Sequence, residues 1–187
     1  MKNYILEVRK LIPTNYCSKI INYFSDDLKE AEIGTPDTKI KVDKNTRNCK
    51  TKHILKDDTS FGKKLALNYI KTKVAYAASL YTQNHKFLHV SDISQLDILQ
   101  YEANSSLAGY SFHVDYDKNA SQRALSISIC LNNDFEGGEF VFDLNGEKIS
   151  FAQNIGDCII FPSNFLFPHQ VNKVTYGVRY SLVSWMI

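Results

Sequence analysis

The chain has no Cys-x-x-Cys pair; its four cysteines, Cys17, Cys49, Cys130 and Cys158, lie far apart. That spacing does not read as a disulfide framework and fits a reducing compartment, so the expected location is the cytoplasm. Cys130 and Cys158 fall inside apolar runs, where free thiols behave as small hydrophobes. No long apolar stretch is present either: the opening MKNYILEVRKLIP reads as neither a signal peptide nor a membrane span, and no membrane partner is expected. Excess charge is missing too, since a formal net charge of +2 is too small to make nucleic acid or an anionic membrane the default partner. There is no internal repeat, no low-complexity tract, and no serine or cysteine triad constellation.

What remains is an ordinary globular composition, 44% hydrophobic and 22% charged over 187 residues, long enough for one domain with one sizeable core. Periodicity divides it into two unequal parts, 1–94 and 95–187. In the first, Thr14 is placed to cap a helix whose apolar positions Cys17, Ile20, Ile21, Phe24 and Leu28 follow helical spacing. A second helix is predicted over 60–81, with Leu67, Ile70, Val74, Ala77 and Tyr81 on one face. Between them, 34–59 is polar and without a clear period, and Lys39, Lys41, Lys44, Arg47, Lys50 and Lys52 make it basic. It reads as a solvated loop, or as a lid that contacts substrate.

Beyond residue 95 the period becomes twofold. RALSISICL, 123–131, sets Leu125, Ile127, Ile129 and Leu131 on a core face. Ala124, Ser126, Ser128 and Cys130 form a small, slightly polar face suited to a pocket wall. Asn145-Gly146 between two strand-like runs predicts a type I′ hairpin. Further strands are expected at 96–102, 110–113, 138–143, 147–152, 156–161, 169–174 and 177–186, which makes about eight short strands. Helices followed by a run of strands predict an α+β fold with a sandwich or jelly roll.

Three places in the β region carry chemistry. His113 and Asp115 stand two apart, which on a strand turns both side chains to one face; alone, such a pair is more often a hydrogen-bonded surface pair than a metal site. His169 follows Pro168 between two apolar runs, as a core or strand-edge histidine would. Together, two imidazoles and a carboxylate suit a facial triad on iron(II) with open positions, and zinc accepts the same ligands. Arg179, ten residues after His169, lies in an apolar strand on one face with Gly177, Ser181, Val183 and Trp185. Either it snorkels to water from a sheet edge, or it is buried and needs a carboxylate, which its planar fork can grip at two points. Ser181 would add a hydroxyl on the same face.

The order and spacing of these signals resemble the 2-oxoglutarate/iron(II) oxygenase superfamily, and within it the prolyl 4-hydroxylase-like catalytic domain. The resemblance runs from about 95 to 187, through LQYEANSSLAGYSFHVDYD, RALSISICLNNDFEGGEFVF and GDCIIFPSNFLFPHQVNKVTYGVRYSLVSWM. It implies a double-stranded β-helix with supporting N-terminal helices. His113, Asp115 and His169 would be iron ligands, and Arg179 would bind the 5-carboxylate of 2-oxoglutarate. Tyr101 and Tyr110 would line the cosubstrate pocket, with Phe135-Glu136-Gly137-Gly138-Glu139 as the family's Gly-Gly turn. Two departures stand out: Gly109 comes late for the family's Tyr-x-x-Gly spacing, and Cys130 stands where some relatives place a cosubstrate-binding tyrosine. The implied cofactors are Fe(II), 2-oxoglutarate and O2, with ascorbate as an accessory, and the implied products are succinate, CO2 and a hydroxylated substrate. Relatives that halogenate carry a small residue in place of Asp115, so its presence argues for hydroxylation.

A prolyl residue of a peptide or protein is the first expected substrate, and a free amino acid or other small molecule the second. Nucleic-acid demethylation ranks lower, because Trp185 stands where relatives with that activity carry a second arginine. A non-catalytic, cupin-like metal-binding jelly roll is the reading from a different class, and it leaves Arg179 unexplained.

Overall fold

In the computed structural model, which describes residues 1–34, 39–103, 107–116 and 120–187, two antiparallel sheets face one another and two helices cover the outer side of the larger one. In chain order the elements are β1 (Leu6–Val8), α1 (Thr14–Phe24), β2 (Lys29–Glu30), β3 (Glu32–Gly34), β4 (Ile40–Val42), β5 (Lys50–His53), α2 (Phe61–Asn84), β6 (Ile93–Glu102) and β7 (Tyr110–His113). After these come β8 (Leu125–Cys130), β9 (Phe135–Gly137), β10 (Phe140–Leu144), β11 (Glu147–Phe151), β12 (Cys158–Pro162), β13 (His169–Val171) and β14 (Val174–Met186). The major sheet runs β1-β12-β8-β14-β6-β5-β2, with β9 paired to β14; the minor sheet runs β11-β10-β13-β7, and β3 and β4 pair as a separate two-stranded sheet. This is the α+β double-stranded β-helix expected from the sequence.

Two cores follow from the two faces of the major sheet. Ile98, Ile127, Ile129, Ile160 and Leu182 project outward against Ile20 and Phe24 of α1 and Leu67, Ile70, Val74 and Tyr81 of α2. Leu99, Tyr101, Ile159 and Phe161 project inward against Phe140, Phe142 and Val171 of the minor sheet. Alternation along each strand produces this division, because successive side chains point to opposite faces.

The helical stripe of α2 is the predicted one, but the helix continues to Asn84, and the Ser60 hydroxyl caps it by accepting from the Lys63 amide at 3.2 Å. Two expectations for α1 need correction. Thr14 does not cap it; Thr14 is its first helical residue, after Pro13 at the cap position. The helix also stops at Phe24, short of Leu28, and Asp27 turns the chain with a φ of 53°.

Every strand expected beyond residue 95 forms, with ends shifted by a few residues, and the Asn145-Gly146 turn has positive φ at both positions, 61° and 87°, as type I′ requires. Six short strands join them. The largest departure is 34–59, read from the sequence as a solvated loop or a lid without strands of its own. Its described residues include β4 and β5, and β5 enters the major sheet, pairing from Lys50↔Gln100 to His53↔Asp97. The sequence KTKH has no apolar period because backbone pairing to β6, rather than side-chain burial, makes it a strand. Residues 35–38 of that segment lie outside the described residues. All four cysteines are free and buried, and no described helix is long and apolar enough to cross a membrane.

Gly156 is the tightest point of the frame: its φ is +80°, and a Cβ there would overlap the carbonyl of Ile12. Gly156→Ala should therefore cost about 3 kcal/mol or more, combining left-handed strain with a forced backbone shift. Gly146→Ala, at φ +87° with open space around it, should cost only about 1–2 kcal/mol. Urea midpoints measure both, and equal losses would show that close approach to Ile12 is unimportant.

Candidate metal centre and its cleft

Three titratable side chains of the inner face meet at the junction of β7 and β13. His113 ends β7 and His169 begins β13, and the two are direct cross-strand partners. Asp115 comes from the turn just after β7, so its approach to His113 is set by that turn and not by strand alternation as expected. Asp115 Oδ1 lies 3.7 Å from His113 Nε2, and its Oδ2 lies 3.6 Å from His169 Nε2. The three ligand atoms are all within 4.8 Å of one another, the one cluster of this kind among the described residues.

The surroundings prepare these groups as ligands. The Nδ1 of His113 is 2.9 Å from the Ser111 carbonyl, and that of His169 is 3.0 Å from the Phe167 carbonyl. A carbonyl can only accept, so both Nδ1 atoms carry the proton and both Nε2 lone pairs face the shared space. Burial, with the nearby His169, pushes the His113 pKa down to about 3, so its ring is neutral at ordinary pH. Burial alone would raise the Asp115 pKa, but His169 and His113 together hold it below the usual carboxylate value. One carboxylate and two imidazoles presenting Nε2 on one side of a space form the donor set that suits iron(II) with positions left open, and it also suits zinc.

Packing fixes the two rings. His169 stacks on Phe140 at 5.0 Å and is flanked by Phe142 and Phe161. Tyr110 stacks on His113 at 3.5 Å, and the Arg47 guanidinium lies over Tyr110 at 4.9 Å. Arg123 donates to the Asp115 carbonyl at 3.0 Å and to Gln95 Oε1 at 2.7 Å while lying 4.0 Å over the Trp185 ring.

The open side of the triad faces a cleft of about 950 Å³. Of the residues singled out from the sequence, His113, Asp115, His169, Tyr101 and Tyr110 line it, as do Ser126 and Ser128 from the small face of β8. Arg179 and Ser181 do not line it. Arg179 is buried behind Tyr101, its cross-strand partner, with 1% of its surface exposed. Its Nη1 donates to Ser181 Oγ and its Nη2 to Gln153 Oε1, both at 3.1 Å, and its guanidinium lies 5.7 Å from the Tyr101 ring. Among the described residues no carboxylate pairs with it, so the snorkelling alternative is excluded and the buried charge has only neutral partners.

Sequence reasoning missed Arg47, Thr51, Arg123 and Gln153. Of three side chains with buried polar atoms, Arg47 acts on the Cys49 thiol and Trp185 on the Asp115 carboxylate, while Thr51 Oγ1 has no partner among the described residues. All three residues line this cleft. Arg47 had been counted only as one charge of the basic stretch; its bridge to Tyr110 is what brings it to the cleft, and no local pattern announces that.

Residues 96–187 match the family model described as the 2OG-Fe(II) oxygenase superfamily. A PKHD-type hydroxylase of Colwellia psychrerythraea is 37% identical over 84 residues, covering 42% of this chain and 37% of that protein. The chain thus spans little more than a third of the length of that curated relative. Among solved structures, a prolyl hydroxylase from Trichoplax adhaerens in complex with a hypoxia inducible factor peptide fragment superposes with a TM-score of 0.81 at 16% identity, over 99% of this chain and 84% of the other. A Pseudomonas putida prolyl-4-hydroxylase gives 0.71 at 16% identity, over 98% and 91%. At that identity the likeness is one of fold.

The triad geometry leads to a direct expectation. His113→Ala should weaken binding of Mn(II), a redox-stable stand-in for iron(II), at least 10²-fold, or about 2.7 kcal/mol, with little change in melting temperature. His169→Ala should lose the metal equally but also melt earlier, because its ring fills space among Phe140, Phe142 and Phe161. Undiminished metal binding by a folded His113→Ala protein would dismiss the triad.

Proposed function

We propose, from the premise that residues 96–187 belong to the 2OG-Fe(II) oxygenase superfamily, that the chain is a 2-oxoglutarate-dependent dioxygenase that hydroxylates an unactivated C–H bond. The single observation that carries the reading is a histidine–aspartate–histidine triad opening onto a large cleft, with a carboxylate-free buried arginine beside it. Bound iron(II) would supply the redox chemistry that couples oxidation of 2-oxoglutarate to succinate and CO2 with insertion of oxygen into the substrate.

The protein's own contribution is positioning. His113, Asp115 and His169 would hold the metal, the two imidazoles locked by the Ser111 and Phe167 carbonyls and the phenylalanine cluster. Arg179 and Ser181 would receive the distal carboxylate of 2-oxoglutarate beside Tyr101, whose ring lines the cleft and lies 5.7 Å from the guanidinium. Tyr110 fixes the plane of His113 and closes the pocket on that side. Iron(II), 2-oxoglutarate and O2 follow from family membership; ascorbate as an accessory and a cytoplasmic location rest on the sequence reading alone.

For the substrate, we infer a prolyl residue within a peptide or protein. Arg47, Thr51 and Trp185 line the cleft with side chains that can donate, and the Thr51 hydroxyl has no partner among the described residues; a wall of donors suits the carbonyl row of an extended peptide. The paired strands β3 and β4 border the same cleft through Ile33, Gly34 and Ile40, and Arg47 Nη1 is tied to the Glu32 carbonyl at 3.1 Å, so these strands would flank a bound chain. The Trichoplax relative, solved with a peptide fragment, is consistent with that mode.

Arg179→Ala should raise the 2-oxoglutarate concentration needed for half-maximal succinate formation about 10²-fold or more, since removing one partner of a buried charge pair costs about 3–5 kcal/mol. An unchanged requirement would mean that the arginine is structural only. For the substrate, mass spectrometry of proline peptides, free amino acids and methylated oligonucleotides should find an added oxygen on a peptide and little on free proline. Oxygen gained only by a free amino acid would move the assignment to a small-molecule hydroxylase.

A further inference from the structure

Arg179 presents an unusual arrangement: a fully buried cation whose hydrogen bonds all end on neutral oxygens among the described residues. One of these belongs to Gln153, in the segment between β11 and β12. Its Nε2 donates to the Ser128 carbonyl at 3.0 Å and to the Asp157 carbonyl at 3.3 Å. Both can only accept, so the amide orientation is forced: the nitrogen faces the two carbonyls and the oxygen faces Arg179 Nη2. The segment is itself anchored. The Asp157 carboxylate accepts from the Lys10 amide at 2.9 Å, Arg9 Nη1 at 2.7 Å and the Asn154 amide at 3.0 Å. Cys130, the cross-strand partner of Ser181, does not share this task, because its thiol donates to the Asn132 carbonyl at 3.2 Å.

We infer that Gln153 is a positioning residue for the cosubstrate: its fixed amide oxygen aims the Arg179 fork while leaving the charge of that fork free for an incoming carboxylate. The inference rests on the reading of Arg179 given above. Its physical content is the neutrality of the acceptor. A carboxylate at the same place would form a buried ion pair with Arg179 and compete directly with the distal carboxylate of 2-oxoglutarate. An aliphatic side chain would leave one end of the guanidinium unaimed and its N–H groups without a partner.

The test uses Mn(II)-loaded protein and equilibrium binding, so that no turnover is involved. Two ligands are compared: 2-oxoglutarate, and pyruvate, which has the same 2-oxo acid end and no distal carboxylate. Their affinity ratio isolates what the distal carboxylate contributes. Gln153→Glu should lower that ratio at least 100-fold and Gln153→Leu about 10-fold, with pyruvate binding unchanged in both. A merely structural defect would weaken both ligands alike and leave the ratio intact, and that result overturns the inference. Should Gln153→Glu fail to fold, Gln153→Leu decides alone, with a wild-type ratio again overturning it. Arg179→Ala separates the two levels: a collapsed ratio there with a wild-type ratio in the Gln153 variants removes the inference and keeps the reading of Arg179. A wild-type ratio in Arg179→Ala removes both.

Discussion

The pairing of β7 with β13 brings His113 and His169 face to face across two adjacent strands, and much of the structure serves to hold that pair in place. Two imidazoles side by side in a low-dielectric interior repel if both are charged, so a nearby anion is needed to balance any charge they carry. Asp115 supplies the anion and the carbonyls of Ser111 and Phe167 fix the tautomers. The phenylalanines of the minor sheet and Phe161 of β12 then prevent His169 from turning away. The major sheet provides a rigid wall opposite, and α1 and α2 stiffen that wall from behind.

Charge is distributed around the cleft in a consistent way. Asp115 is the anion of the triad, beside His113 and His169. Arg47 lies over Tyr110 and Arg179 near Tyr101, both act on the Tyr101 hydroxyl, and Arg179 bonds to neutral oxygens among the described residues. Cations stripped of water and given neutral partners represent unfavourable energy in the empty protein, which an anionic or acceptor-rich ligand relieves on binding.

The legible parts of the molecule were those whose signal is local. His113, Asp115 and Pro168-His169 declare themselves as short motifs, the hairpin at Asn145-Gly146 as a dipeptide, and α2 and β8 as uninterrupted periods. What escaped depends on partners far along the chain. Arg47 reaches the cleft by bridging to Tyr110, and Gln153 meets Arg179 across 26 positions. Neither has a neighbour in sequence that hints at the contact. The ending of α1 and the turn carrying Asp115 escaped for another reason: both are set by backbone dihedrals at single residues, which periodicity does not register.

The strand that looked least like one, β5, has a bearing on solubility. With β2 it forms one margin of the major sheet, and a sheet margin exposes unpaired amides and carbonyls that invite another chain to add on. Here the outermost strand is only the two residues Lys29–Glu30, both exposed, and the next is Lys-Thr-Lys-His. Lysines at such a margin must be desolvated before a foreign strand can dock, and a two-residue strand offers almost no template. The same lysines that hid the strand from periodicity thus act as gatekeepers against edge-to-edge aggregation, and replacing them with β-branched residues would make the segment easier to recognise as a strand and the protein harder to keep in solution.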